Sequence, residues 1–197
     1  MLRRSAILTG LVVASSALIA ASLPSSAQVA AQWTTLFDGT DLDNWNQTGD
    51  ANWSIIDGAA QADMGGGHLV SKESYTDFVL RAEFWVDEPA NSGIFIRCDD
   101  PAMPGATSCY EVNIFDTRPD PSYGTGAIVN YATIDNMPIA ANRWNTYEII
   151  AQGDHLITIL NGRLTVDIRN SEHPSGPITL QYGTGVVKFR MVEIREL

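Results

Sequence analysis

Residues 77–87 read DFVLRAEFWVD. Phe78, Leu80, Ala82, Phe84 and Val86 fall on one side of an extended chain, and Val79, Arg81, Glu83 and Trp85 on the other. That alternation is the period of a half-buried strand. Residues 155–169, HLITILNGRLTVDIR, repeat the pattern on both sides of Asn161-Gly162. Both turn residues tolerate positive φ, so the segment reads as a hairpin closed by a type I′ turn. Leu164, Val166 and Ile168 are expected to point inward, and Arg163, Thr165 and Asp167 toward water.

The same period runs through WSII at 53–56, GIFIRC at 93–98, TYEIIAQ at 146–152 and VVKFRMVEIREL at 186–197. The last run changes phase between Phe189 and Val192, which predicts a bulge. No segment after residue 27 keeps a helical pattern beyond two turns. Many short strands punctuated by Gly, Asn and Pro give an all-β fold, a two-sheet antiparallel jelly-roll sandwich, and exclude a parallel α/β fold. Trp33, Trp45, Trp53 and Trp144 read as core or turn anchors, and Trp85 as an aromatic on an exposed face.

The first residues carry a different signal. Arg3 and Arg4 precede an apolar run that ends in Pro24-Ser25-Ser26-Ala27, so residues 1–27 read as a secretory signal cleaved after Ala27. A membrane anchor is the competing reading of that run. Residues 28–32 read as a short flexible lead, and 33–197 as a single jelly-roll domain. Losing Arg3 and Arg4 moves the formal charge from −11 to −13. That balance argues against nucleic acid or an anionic membrane surface as partner and suits a periplasmic or secreted protein with a neutral ligand. Cys98 and Cys109 are the only cysteines. An even count in an exported chain favours one disulfide closing the PAMPGATS loop, with two unpaired buried thiols as the alternative.

The segment YEVNIFD at 110–116 places polar groups where apolar ones are expected. Tyr110, Val112 and Ile114 share one face, while Glu111 and Asn113 share the other with Phe115. GIFIRC sets Phe95 and Arg97 on a common face, and the 77–87 strand offers Arg81, Glu83 and Trp85. Acid, amide, guanidinium and aromatic groups on neighbouring strands are the makeup of a sugar-binding surface. A solvated face laced with ion pairs, such as Arg97 with Glu111, is the plainer reading of the same residues. Asp116 is off parity with Glu111 and reaches that face only after a bulge or at a strand end. His68, His155 and His173 share no metal-ligand spacing; His68, after Gly65-Gly66-Gly67, is placed to border a binding face.

LFDGTDLDNW at 36–45, YTDFVLRAEFWVDEPANSGIFIR at 75–97, YEVNIFD at 110–116, RWNTYEIIAQGDHLITILNG at 143–162, GPITLQYG at 176–183 and VVKFRMVEI at 186–194 resemble, in order, the 3-keto-disaccharide hydrolase domain family. Two positions depart from its pattern: Asn113 stands where Gln is more common, and Tyr182 where a His is common. The resemblance implies a concanavalin A-like sandwich and an exported enzyme acting on glycosides oxidised at C3. A C3 ketone acidifies the C2 proton; its removal gives an enolate that expels the oxygen at C1, and water then adds to the enone. Such chemistry needs a base, an acid and groups that stabilise the enolate. The resemblance makes Glu111 and Asp116 the candidate catalytic carboxyls, and Arg97 and Lys72 the cations. Asn91 and Asn113 are the candidate hydroxyl ligands, beside Trp85 as platform. No cofactor is required by the sequence; a divalent metal held by Glu111 and Asp116 is the alternative to the cations. A noncatalytic, lectin-like carbohydrate-binding module is the second function class. An ordinary retaining glycosidase is the third, with two carboxyls about 5 Å apart.

Overall fold

The strand of residues 77–87 sits in the middle of an eight-stranded antiparallel sheet. The computed structural model describes residues 32–197, so the signal segment and residues 28–31 of the lead lie outside the described residues. The large sheet runs in the order β11 (Arg163–Arg169), β10 (His155–Leu160), β9 (Trp144–Gln152), β6 (Phe78–Val86), β13 (Val187–Glu196), β4 (Ala59–Ala62), β3 (Ser54–Ile56). β1 (Thr34–Phe37) also pairs with β13. The smaller sheet runs β2 (Trp45–Gly49), β5 (Gly67–Tyr75), β12 (Gly176–Thr184), β7 (Asn91–Ile96), β8 (Tyr110–Ile114). Every strand pair is antiparallel. The one helical element among the described residues is a 3-10 turn at Pro121–Tyr123. This is the two-sheet sandwich that the alternation predicts.

The core lies between the sheets. Phe78, Leu80, Ala82, Phe84 and Val86 are all buried there, and the Phe84 ring stacks on Tyr147 at 5.2 Å. From the smaller sheet come Leu69, Ile94, Ile96, Tyr110, Val112, Ile114 and Leu180. Each such side chain removed from water contributes roughly 1.5–3 kcal/mol, which is what holds two polar-backed sheets face to face. Trp45 and Trp53 belong to this core. Trp33 and Trp144 do not, and lie instead under arginines on the outside of the large sheet.

Two irregularities adjust the strands. In β13 the register slips between Phe189 and Met191, so Arg190 is the extra residue of the expected bulge. The Asn161-Gly162 turn has φ of 51° and 78°, as a type I′ turn requires. Its hairpin carries a second bulge that the alternation does not reveal: Thr158 pairs with Val166, but Ile159 pairs with Leu164. Thr165 is therefore the extra residue and hydrogen-bonds the Thr158 hydroxyl at 2.7 Å. Val166 stays buried, Ile168 is half-buried, and Leu164 is turned outward at 57% exposure, contrary to its expected inward direction.

Cys98 and Cys109 are bridged, with Cα atoms 4.2 Å apart, and pack against Phe95. Closing a loop of this length restricts the unfolded chain by about 2–3 kcal/mol. Urea unfolding with and without reductant is expected to differ by that amount; equal midpoints would mean the bridge adds no stability.

Candidate active site

β8 is an unusual strand, because all five of its residues are buried. Its free edge is covered by residues 126–129. The Asn113 N–H donates to Ala127 O, the Gly126 N–H to Asn113 O and the Val129 N–H to Glu111 O, each at 3.0–3.1 Å. Tyr110, Val112 and Ile114 enter the core. Alternation then sends Glu111 and Asn113 to the outward face of the smaller sheet.

Strand register builds that face into two rows. Asn113 is opposite Gly93, Gly93 opposite Gln181, Gln181 opposite His68, and His68 opposite Thr48. In the adjacent row Glu111 is opposite Phe95, Phe95 opposite Thr179, Thr179 opposite Val70, and Val70 opposite Asn46. From β5 to β8 each row crosses three strand spacings, roughly 14 Å. Gly93 leaves the middle open. A Cβ there would lie 3.2 Å from Phe95 Cε2 and 3.3 Å from Glu111 Cγ, so these two side chains lean over the glycine.

Polar atoms on this face are short of partners. Six buried side-chain N or O atoms lack a hydrogen bond among the described residues, and four of them are here: His68 Nε2, Asn113 Oδ1, Thr179 Oγ1 and Gln181 Oε1. Buried polar groups are ordinarily satisfied, since an unmade hydrogen bond costs about 1–3 kcal/mol. Their concentration on one sheet face points to a ligand. Glu111 is 7% exposed and makes no ion pair among the described residues. Burial pushes its carboxyl up from 4.5 to about 7, with the Arg118 charge opposing. His68 is half-buried, edge-on to Phe95 at 5.2 Å, and burial pushes its imidazole down to about 4.

The other sequence candidates are distributed differently. Arg97 does not share the face of Phe95. β7 ends at Ile96, and Arg97 takes a left-handed φ of 53° that breaks the alternation. Its fully buried guanidinium donates to Thr76 O and Gly153 O and pairs with Asp77 at 3.1 Å. The expected Arg97–Glu111 pair is therefore not formed. Asp116 lies beyond β8, where one oxygen accepts from the Thr125 hydroxyl at 2.6 Å. The other accepts from the Ala140 and Ala141 N–H groups at 2.9 and 2.8 Å. It anchors a loop, and joint metal ligation with Glu111 does not fit a carboxylate so engaged. Among the described residues no group of three or more His, Cys, Asp or Glu has a metal-holding arrangement.

Trp85 lies on the large sheet, beneath Lys188 at 4.9 Å. Its neighbours form the ion-paired surface of the plainer reading, with Arg81–Glu148 at 2.8 Å and Arg190 paired with Glu83. The polar faces of β6 and β8 thus belong to different sheets. Asn91 shares the parity of Gly93 on β7 and sits against Gly183. Lys72 is exposed on β5, two residues from Val70, and pairs with no carboxylate among the described residues. Tyr182 turns into the core against Trp53. Gln181 and Thr179 are the site residues that the sequence reading left out, whereas it set His68 and Phe95 beside a binding face without giving either a role. The signal for Gln181 was present in ITLQYG, a polar residue between Leu180 and Tyr182, as Glu111 stands between Tyr110 and Val112.

Solved structures share this architecture. A candidate glycosyl hydrolase from Parabacteroides distasonis superposes with a TM-score of 0.75 at 17% identity, over 84% of this chain and 94% of its own. A second from the same organism gives 0.69 at 26% identity, over 84% and 100%. A carbohydrate-binding module from Bacillus subtilis gives 0.57 at 18%, over 85% and 98%. Comparison with curated protein sequences gives no match. The family model of the 3-keto-alpha-glucoside-1,2-lyase-like domain matches residues 32–195, nearly all of the chain beyond the N-terminal segment. On that match the chain belongs to the 3-keto-alpha-glucoside-1,2-lyase-like domain family.

Proposed function

We propose that this protein cleaves the C1–oxygen bond of 3-keto-α-glucosides by proton abstraction at C2, elimination and hydration. The observation that carries the reading is Glu111. It is a carboxyl held near neutral pKa by burial, unpaired among the described residues, on a sheet face with four polar atoms that likewise have no partner among them. A structural acid is normally paired; one without a partner that exchanges its proton near pH 7 suits general acid–base work. Asn113, Gln181 and Thr179 supply amide and hydroxyl groups for sugar hydroxyls, with Asn91 at one end of the face and Lys72 near the other. The Arg118 charge that reaches Glu111 favours developing negative charge nearby. Family membership supports the substrate class. The Cys98–Cys109 bridge supports an exported protein working in an oxidising compartment.

Cleavage through C2 leaves an isotopic record. In deuterium oxide, the 3-keto sugar released from 3-keto-trehalose is expected to carry deuterium at C2, because the C2 carbon is reprotonated from an exchanged site during hydration. Release without deuterium at C2 would indicate direct displacement at C1 and refute the elimination route. A carbohydrate-binding module would bind unoxidised trehalose and release nothing.

A further inference from the structure

Elimination requires two proton transfers, one at C2 and one at the leaving oxygen, and Glu111 supplies one of them. Asp116 does not supply the other, because its oxygens are taken by Thr125, Ala140 and Ala141. β2, β7 and β12 present no titratable side chain to the outward face of the smaller sheet. That face carries Glu111 from β8 and His68 from β5, while Lys72 and Glu73, farther along β5, are exposed to solvent.

We propose that His68 is the second proton-transfer group, a neutral imidazole that takes the C2 proton while Glu111 protonates the departing oxygen. The proposal rests on the elimination reading above. Its geometric basis is a shared neighbour. The Phe95 ring meets the His68 ring edge-on at 5.2 Å, and Phe95 Cε2 and Glu111 Cγ approach one point above Gly93. The two titratable groups thus reach one ring from opposite strands, His68 from β5 and Glu111 from β8. The backbone that presents His68 is tightly set: a Cβ on Gly67 would lie 2.0 Å from Thr48 O, so only glycine lets β2 close here. His68 Nε2 has no partner among the described residues.

The protons balance. His68 takes hydrogen from C2, the C–H electrons form the enolate, and the enolate re-forms the C3 carbonyl as a C1=C2 double bond replaces the C1–oxygen bond. Glu111 gives its proton to the departing oxygen. Water then adds to C1 and yields a proton to Glu111, while the imidazolium returns one to C2. Both residues end as they began, and one water has been added. With His68 held near 4 and Glu111 near 7, the required forms, neutral imidazole and protonated carboxyl, coexist between those values.

The test compares wild type, His68→Gln and His68→Asn on 3-keto-trehalose. Both variants are expected to lose at least about a hundredfold in kcat. The limb near pH 4 should vanish from the kcat/KM profile while the limb near 7 remains. Variants that keep their rate within a few-fold, or keep both limbs, would overturn the proposal. Cleavage by wild type together with active variants defeats only the role of His68; no cleavage by wild type defeats the functional reading with it. A readout without substitution at 68 uses the Glu111→Gln protein. Its His68 imidazole resonances should shift when 3-keto-trehalose is added, and unshifted resonances would overturn the assignment even if the His68 variants fail to fold.

Discussion

Glu111→Gln is expected to fold, to bind 3-keto-trehalose, and to lose at least about a hundredfold in kcat, the lower range of a general acid–base contribution. Gln preserves volume and one hydrogen-bonding oxygen but exchanges no proton. The same variant should also be more stable than wild type, with a defined pH dependence. In the folded protein the carboxyl is raised from 4.5 to about 7, so folding retains a proton that the unfolded chain gives up. The part of wild-type stability that depends on Glu111 is then full below pH 4.5, falls as pH rises to about 7, and is constant above. Gln carries no such penalty. Its advantage should be on the order of 3 kcal/mol above pH 7 and vanish below pH 4.5, read by urea unfolding across pH. A variant that loses both activity and stability at pH 8 would mark Glu111 as a paired structural acid instead.

Arg97→Met should do the reverse. Its guanidinium, fully buried, is the donor for Thr76 O and Gly153 O and the partner of Asp77. Removing one side of such a set leaves its acceptors without partners, at a cost of about 3–5 kcal/mol. In a domain of this size that lowers Tm by roughly 10 °C. The kcat of the protein still folded should stay within a few-fold of wild type. Loss of kcat with an unchanged melting curve would restore Arg97 to the substrate face that its position in GIFIRC suggests.

Arg97 and Glu111 show where a sequence stops informing. Alternation within a run is local, and it correctly turned Glu111 and Asn113 away from Val112 and the six strand-forming segments into strands. It fails where a strand ends, because one left-handed residue at 97 redirects the next side chain. It fails again at Thr165, where an extra residue turns Leu164 outward without disturbing the composition. Strand partnership is nonlocal. Nothing in residues 77–87 tells that β6 lies in the other sheet from β8, so Trp85 and Glu83 seemed neighbours of Glu111. The pairing of β5 with β12, more than a hundred residues apart in sequence, is what joins His68 and Gln181 to the site.

The most direct measurement incubates the purified protein separately with 3-keto-trehalose and with trehalose and assays free glucose. The account predicts glucose from the oxidised sugar and none from its parent, since only a C3 ketone makes the C2 proton removable by groups of this acidity. Glucose released equally from both, or from neither, would contradict it.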